Sequence, residues 1–191
     1  NGTLSGENYF GTGGMTRTGN ALAYISPDFS GLTIQAAAVI DGSNGTEGED
    51  VDAYQLGATY KNGGLLVGAG YHGDQNGDVD IWGLTGSYTF DAFSITGLYQ
   101  SYTDDNNDAN DKDAYELLGA YTFGSNVVRA SWGQIDPDQG DKQDTWILGY
   151  QYNLSKRTRL WAEYGDSEAT INQANGSESV SNLSLGIRHD F

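Results

Sequence analysis

Apolar residues recur at every second position in a series of chain segments, each about ten residues long. Residues 146–154 read Trp-Ile-Leu-Gly-Tyr-Gln-Tyr-Asn-Leu, so that Trp, Leu and Tyr alternate with Ile, Gly, Gln and Asn. Residues 82–90 and 181–191 repeat the pattern. Alternation with period two indicates β-strands whose two faces differ, because successive side chains of a strand point to opposite sides. No segment has a convincing helical period.

We predict about eleven strands, joined alternately by short turns and long loops. Short turns at one end of a sheet and long loops at the other are the layout of a transmembrane β-barrel, whose spanning strands need only about 9–11 residues. The predicted strands cover residues 20–28, 32–41, 52–61, 64–73, 80–90, 93–103, 113–123, 126–135, 145–154, 159–167 and 181–191. The long connections cover residues 42–51, 74–79, 104–112, 136–144 and 168–180.

Charge is distributed unevenly between the two kinds of connection. The 191 residues include 26 Asp and Glu against 9 Lys and Arg, a formal net charge of −17. Most of the acids lie in the long loops, whereas Lys61, Lys156 and Arg157 lie beside short turns. Acids that served solubility alone would be scattered along the chain. The negative charge argues against nucleic acid as a partner, since phosphate binding needs clustered basic residues.

Aromatic residues on the apolar face concentrate at the strand ends. Rings at both ends of the strands are typical of a membrane barrel, because amphipathic rings settle at the two interfaces. The rings near short turns are Tyr60, Phe90, Phe123, Tyr152 and Phe191, and those toward long loops are Trp132, Trp146 and Tyr164.

A soluble β-sandwich is the alternative fold, because its strands also alternate. On that fold the chain would be a soluble or surface module that binds carbohydrate or calcium. The sandwich predicts loops of more even length than this chain has.

Signals for catalysis and cofactors are weak. His72 and His189 are far apart in the chain, and no catalytic triad order, zinc spacing or phosphate loop is present. The lack of Cys excludes disulfides and Cys-based metal sites. We therefore predict a protein that is not an enzyme and has no cofactor. Divalent cations at the acidic extracellular loops are an open alternative to loops that are merely solvated.

Three stretches resemble one protein family. Residues 182–191 read Asn-Leu-Ser-Leu-Gly-Ile-Arg-His-Asp-Phe, and residues 155–164 form the turn and strand before them. Residues 17–32 read Arg-Thr-Gly-Asn-Ala-Leu-Ala-Tyr-Ile-Ser-Pro-Asp-Phe-Ser-Gly-Leu. In these stretches the chain resembles the Gram-negative general porins, which are trimeric outer-membrane β-barrels of sixteen strands. The resemblance implies an all-β transmembrane barrel that forms a water-filled channel for passive diffusion of ions and small hydrophilic solutes.

The resemblance also implies how the chain is organised. Residues 1–19 would be the end of the constriction loop, and residues 20–191 would be strands six to sixteen. The expected partners are outer-membrane lipid and lipopolysaccharide, two further copies in a homotrimer, and the missing N-terminal strands of the same protein. The terminal Phe191 would be the signal read by the assembly machinery of the outer membrane.

Charged residues within strands are the candidates for the pore lining. A charge on the lipid face costs about 2–4 kcal/mol near the midplane, so we expect these residues on the opposite face. The resemblance places Arg17 on the basic side of the constriction, facing loop acids such as Glu7. The alternative to a pore-lining role is a structural one, in which Arg159 and Arg188 pair with Glu163 and Asp190 and only stabilise the wall. The pore-lining candidates from the strands are Arg129, Arg159, Glu163, Arg188 and Glu116.

A channel specific for oligosaccharides is a variant of this hypothesis. Trp161 and Tyr102 fall on the predicted pore face, where their rings could stack on sugar rings.

Overall fold

The computed structural model describes residues 21–40, 51–74, 78–169 and 178–191. These residues form one antiparallel sheet of eleven strands, in which each strand pairs with its neighbours in sequence. In the described part of the chain, no helix is long and apolar enough to cross a membrane. The strands are β1 (Ala21–Ile25), β2 (Leu32–Val39), β3 (Ala53–Asn62), β4 (Leu65–Asp74), β5 (Val79–Phe90), β6 (Phe93–Asp104), β7 (Lys112–Phe123), β8 (Asn126–Pro137), β9 (Gln143–Asn153), β10 (Thr158–Ala169) and β11 (Glu178–His189).

The strand order and number confirm the prediction, and the boundaries differ at a few ends. Strand β1 stops at Ile25 instead of residue 28 because Pro27 has no N–H to donate. The hydroxyl of Ser26 accepts a hydrogen bond from the backbone of Ile34 at 2.9 Å and closes the ladder there. The predicted loop 136–144 is shorter in the structure, since β8 continues to Pro137 and β9 begins at Gln143. The predicted loop 42–51 and residues 1–19 lie almost wholly outside the described residues.

The two ends of the sheet differ in their connections. At one end, hereafter the turn end, successive strands are joined by short turns such as Gly63-Gly64 and Asp91-Ala92. Gly63 and Asp91 have φ values of 56° and 52°, which suit tight hairpins between twisted strands. Gly64 is required for a close approach, because a Cβ there would lie 2.1 Å from the carbonyl oxygen of Thr89. At the opposite end, the loop end, the connections are longer.

The sheet has two contrasting faces and almost no hydrophobic core. Ile81 and Val127 are the buried hydrophobic residues among those described. The apolar face is the one that carries Leu84, Leu117 and Leu148, whose side chains are 50%, 49% and 54% exposed at mid-strand. A soluble sandwich would bury such a face beneath a second sheet, and the described strands all belong to one sheet. The sandwich alternative is therefore wrong.

A row of aromatic rings crosses the apolar face near the loop end. The hydroxyl of Tyr71 donates to Asp80 at 2.5 Å and that of Tyr99 donates to Asp113 at 3.0 Å. Each ring thus keeps its apolar body on the sheet and its polar tip among carboxylates at the loop end, as expected at a membrane interface. The row comprises Tyr54, Tyr71, Trp82, Tyr99, Tyr115, Trp132, Trp146 and Tyr164, with centroids 5.0 Å apart for Trp82–Tyr99, 5.2 Å for Tyr99–Tyr115 and 5.6 Å for Trp146–Tyr164.

Two adjacent leucines of β7 provide a matched test of the two faces. Leu117 lies on the apolar face, and Leu118 lies on the opposite face beside Thr96 and Ser131. Leu117→Arg is expected to lower the free energy of unfolding in lipid vesicles by about 2–4 kcal/mol, because it places a charge in hydrocarbon. Leu118→Arg is the control and should have a clearly smaller effect in the same denaturant titration. Equal losses for both variants would contradict the assignment of the faces.

Candidate pore-lining surface

The face opposite the apolar face, here called the polar face, carries the charged residues predicted from the strands. The strand register places Arg129 and Glu163 on either side of Gly149, in one row across β8, β9 and β10. It places Arg159 opposite both Asn153 and Arg188. Glu116 of β7 lies on the same face. Arg17 and Glu7 lie outside the described residues, so their predicted positions at a constriction stay predictions.

Arg129 is held by a chain of hydrogen bonds across β8 and β9. Its guanidinium donates to the side-chain oxygen of Gln151 at 3.0 Å. The amide nitrogen of Gln151 then donates to the side-chain oxygen of Asn153 at 2.7 Å. Gln151 is only 8% exposed, so both ends of its amide are used within the wall. The arrangement fixes a cation on the polar face without a carboxylate partner.

Arg159 and Arg188 face each other near the turn end. Arg188 donates to the carboxylate of Asp190 at 2.7 Å, and this hydrogen bond holds the pKa of Asp190 below its usual range. The predicted pairing of Arg188 with Asp190 is thus present. Among the described residues, Arg159 has no ion pair with Glu163 or with any other carboxylate. Of the two predicted pairings, the one with Asp190 is therefore present as an ion pair of Arg188, while the charge of Arg159 also helps to lower the pKa of Asp190 without direct contact.

Trp161 lies between Arg159 and Glu163 along β10 and covers Gly186 of β11. A Cβ on Gly186 would lie 2.3 Å from Cε2 and Cζ2 of the indole and 2.6 Å from its Nε1. Similar distances to three ring atoms mean that the ring lies flat over the backbone of Gly186. A second glycine, Gly149, leaves room for Glu163, whose Cγ would be 3.3 Å from a Cβ there.

The loop-end half of the polar face is less charged. Glu116 lies opposite Leu98 and Gly133, which offer no polar side chain. The ammonium group of Lys112 sits 4.6 Å from the ring centroid of Tyr102, a cation–π contact that extends the wall toward the loop end. In the described residues, no group of three or more His, Asp or Glu is arranged to hold a metal ion.

The sheet has one exposed apolar face with an aromatic row near its edge, and its opposite face holds polar and charged side chains. Such a sheet is suited to separate hydrocarbon from water. Comparisons with known proteins agree. Residues 1–172 match the family model described as Gram-negative porin, and the chain belongs to that family.

The relatives bear this out in sequence and in fold. The major outer membrane protein P.IB of Neisseria meningitidis is 27% identical over 195 residues, covering 90% of this chain and 56% of that protein. An anion-selective porin from Comamonas acidovorans superposes with a TM-score of 0.76 at 25% identity, covering 91% of this chain and 60% of that chain. The trimer form of OmpT from Vibrio cholerae has a TM-score of 0.61 at 20% identity and covers 88% and 64%.

The chain spans little more than half the length of the relatives it matches. Its place is the bacterial outer membrane, as the names of the relatives and the family indicate.

Sequence reasoning missed the neutral residues that organise this surface. Gln151 and Asn153 were assigned to the polar face but not to the charged site, and Gly149 and Gly186 were not singled out. The signal that could have found one of these glycines is cross-strand register, because counting residues back from the short β9–β10 turn places Gly149 opposite Glu163. The pairings of Gly186 with Trp161 and of Gly149 with Arg129 lie across long connections, where the turn does not set the register.

The hydrogen-bond chain through Gln151 gives a stability prediction. Gln151→Leu is expected to lower the free energy of unfolding by about 1 kcal/mol, because Arg129 and Asn153 lose their partner in a half-buried wall. Gln151→Glu keeps an acceptor for Arg129 and should lose less. Urea unfolding in vesicles measures both changes. If Gln151→Leu unfolds like the unmodified protein, Gln151 does not hold the cation.

Proposed function

We propose that this chain forms part of the wall of an outer-membrane channel for passive diffusion of ions and small hydrophilic solutes. The observation that carries the proposal is the single sheet whose apolar face is exposed while its other face holds Arg129, Arg159 and Glu163. Such a sheet is stable only with lipid on one side and water on the other. The family match supports a channel rather than an enzyme.

Further strands of the same protein are proposed to close the barrel. Among the described strands, β1 and β11 each pair on one edge only. An unpaired strand edge in hydrocarbon leaves backbone N–H and C=O groups without partners, at a cost of several kcal/mol for each group. The length of the relatives supports the same view. The eleven strands then correspond to strands six to sixteen, and residues 1–19 to the end of a constriction loop.

The proposed partners follow from the two faces and two ends. Lipid covers the apolar face, and lipopolysaccharide surrounds the loop end, where acidic side chains are frequent. Divalent cations between those acids and lipopolysaccharide phosphates are part of the proposal. A homotrimer is supported by the trimer form of a protein with the same fold. Phe191, exposed two residues beyond the end of β11, is proposed as the assembly signal.

The acids at the loop end are proposed to give the channel a mild preference for cations at low salt. Described examples are Asp105, Asp108, Asp138 and Asp141, all exposed beyond the strands. Counterions screen such charges over about 10 Å at 0.1 M salt and about 3 Å at 1 M. The preference should therefore fade as the salt concentration rises.

Planar bilayers test this function directly. The protein purified from outer membranes is expected to produce stepwise ion currents, with a reversal potential that indicates cation preference at about 0.01 M salt and approaches zero at about 1 M. Replacing the four loop aspartates by asparagine should reduce the low-salt reversal potential and leave the channels open. A folded protein that produces no current would overturn the proposed function.

A further inference from the structure

The polar face carries an arrangement near its turn end that a simple wall does not require. Along β10, three side chains at alternate positions place a cation, an aromatic ring and an anion in line: Arg159, Trp161 and Glu163. Alternate residues of a strand are about 7 Å apart, so the line extends over about 13 Å of the polar face. These dimensions suit a small ring-shaped solute with charged or hydroxyl substituents.

The indole of Trp161 is a fixed platform. One face of the ring lies against the backbone of Gly186, where a Cβ would come within 2.3 Å of the ring. The opposite face of the same ring is therefore directed away from the sheet, and the residue is only half-buried. A flat, exposed aromatic face attracts the apolar face of another ring and loses little conformational entropy on binding.

The charge beside this platform is available for a ligand. Arg188, opposite Arg159, is already paired with Asp190 at 2.7 Å. In the described strands and turns, the direct ion pair with Asp190 is made by Arg188, and Arg159 acts on that carboxylate only through its charge. A guanidinium that is not hydrogen-bonded to a carboxylate, set next to a second cation, favours an anion that offers two oxygens in a plane.

The remaining groups around the platform are polar, and the nearby guanidinium of Arg129 is already bonded to Gln151 at 3.0 Å. The carboxylate of Glu163 and the hydroxyl of Ser184 face each other across β10 and β11 on the other side of Trp161. Glu163 accepts hydrogen bonds and would repel a second anionic group, whereas hydroxyl groups can donate to it. The row therefore selects a ring that has its anionic group at one end and hydroxyls at the other.

We propose that Arg159, Trp161 and Glu163 form a binding site for acidic sugars, that is, pyranose rings that carry a carboxylate. The inference rests on the proposed function, since it assumes that the polar face lines a water-filled channel. In this site the ring stacks on the indole, the carboxylate binds Arg159, and ring hydroxyls donate to Glu163 and Ser184. The site would hold such solutes briefly during their passage and favour them over neutral sugars.

Equilibrium binding to the purified, folded protein tests the site without relying on current. Glucuronate, glucose, acetate and benzoate are the probes, and saturation-transfer NMR with titration gives their affinities. Glucuronate is expected to bind at least about tenfold more tightly than glucose or acetate, because only it uses both the ring platform and the guanidinium. Equal affinities for these three probes would overturn the proposal. Benzoate binding more tightly than glucuronate would show that the site does not select sugar acids.

Substitutions locate the site. Trp161→Leu and Arg159→Gln should each weaken glucuronate binding about tenfold, and Arg159→Lys should restore part of the loss. The matched controls are Trp132→Leu, on the apolar face, and Arg157→Gln, in the β9–β10 turn, and neither should change binding. If Trp161→Leu and Arg159→Gln bind glucuronate like the unmodified protein, the site is elsewhere or absent.

Bilayer currents separate failure of the site from failure of the channel. Glucuronate is expected to interrupt the current through the unmodified protein more often than glucose does, and this excess should vanish in Trp161→Leu. Open channels without such interruptions, together with no selective binding, would overturn the site and leave the channel function standing. Selective binding by a protein that passes no current would overturn the channel function instead.

Discussion

Backbone hydrogen bonding in the absence of water is the constraint on which the rest of this structure depends. Inside hydrocarbon, every N–H and C=O needs a partner from the protein, and in this chain neighbouring strands provide those partners along eleven consecutive strands. Because the strands satisfy each other, the side chains of one face are free to be apolar and exposed. Leu84, Leu117 and Leu148 would destabilise a soluble sheet, and here they form the exposed apolar face that we propose to contact lipid.

The same constraint explains the polar face. Alternation turns every second side chain away from the apolar face, and many of these side chains are hydrophilic, so the sheet acquires a wall rich in hydrogen-bonding groups. Gln151 uses both ends of its amide to connect Arg129 with Asn153, and Arg188 is neutralised by Asp190. Arg159 lies beside the second pair and makes no hydrogen bond to its carboxylate in the described part of the chain. Glycines then decide where large side chains lie, since the indole of Trp161 occupies the space that a side chain at Gly186 would fill.

Most of the fold could be predicted from the sequence because period-two alternation and the positions of the turns are local features. The strand predicted over residues 20–28 is too long, because the apolar pattern continues past Pro27 whereas the hydrogen-bond ladder does not. The face of Arg129 or Arg159 was also predictable, since the cost of a charge in lipid decides it. The pairing of Arg188 with Asp190, two residues further along the chain, could be anticipated from the sequence. The partner of Arg129 was not predictable, because Arg129–Gln151 depends on cross-strand register and on side-chain rotamers. The sequence of neither strand alone predicts that Trp161 packs flat on Gly186, because the contact joins two strands.

The central claim is that alternate residues of each strand contact lipid and water. It is tested most directly by spin labels attached to single cysteines along residues 145–153 of β9, which is practicable because this chain has no native Cys. For labels in lipid vesicles, collisions with oxygen should peak at positions 146, 148, 150 and 152. Collisions with a water-soluble nickel complex should peak at positions 145, 147, 149, 151 and 153. Two accessibility profiles with opposite phase and period two are the predicted result. Profiles that rise and fall together, or that lack a period of two, would contradict the account.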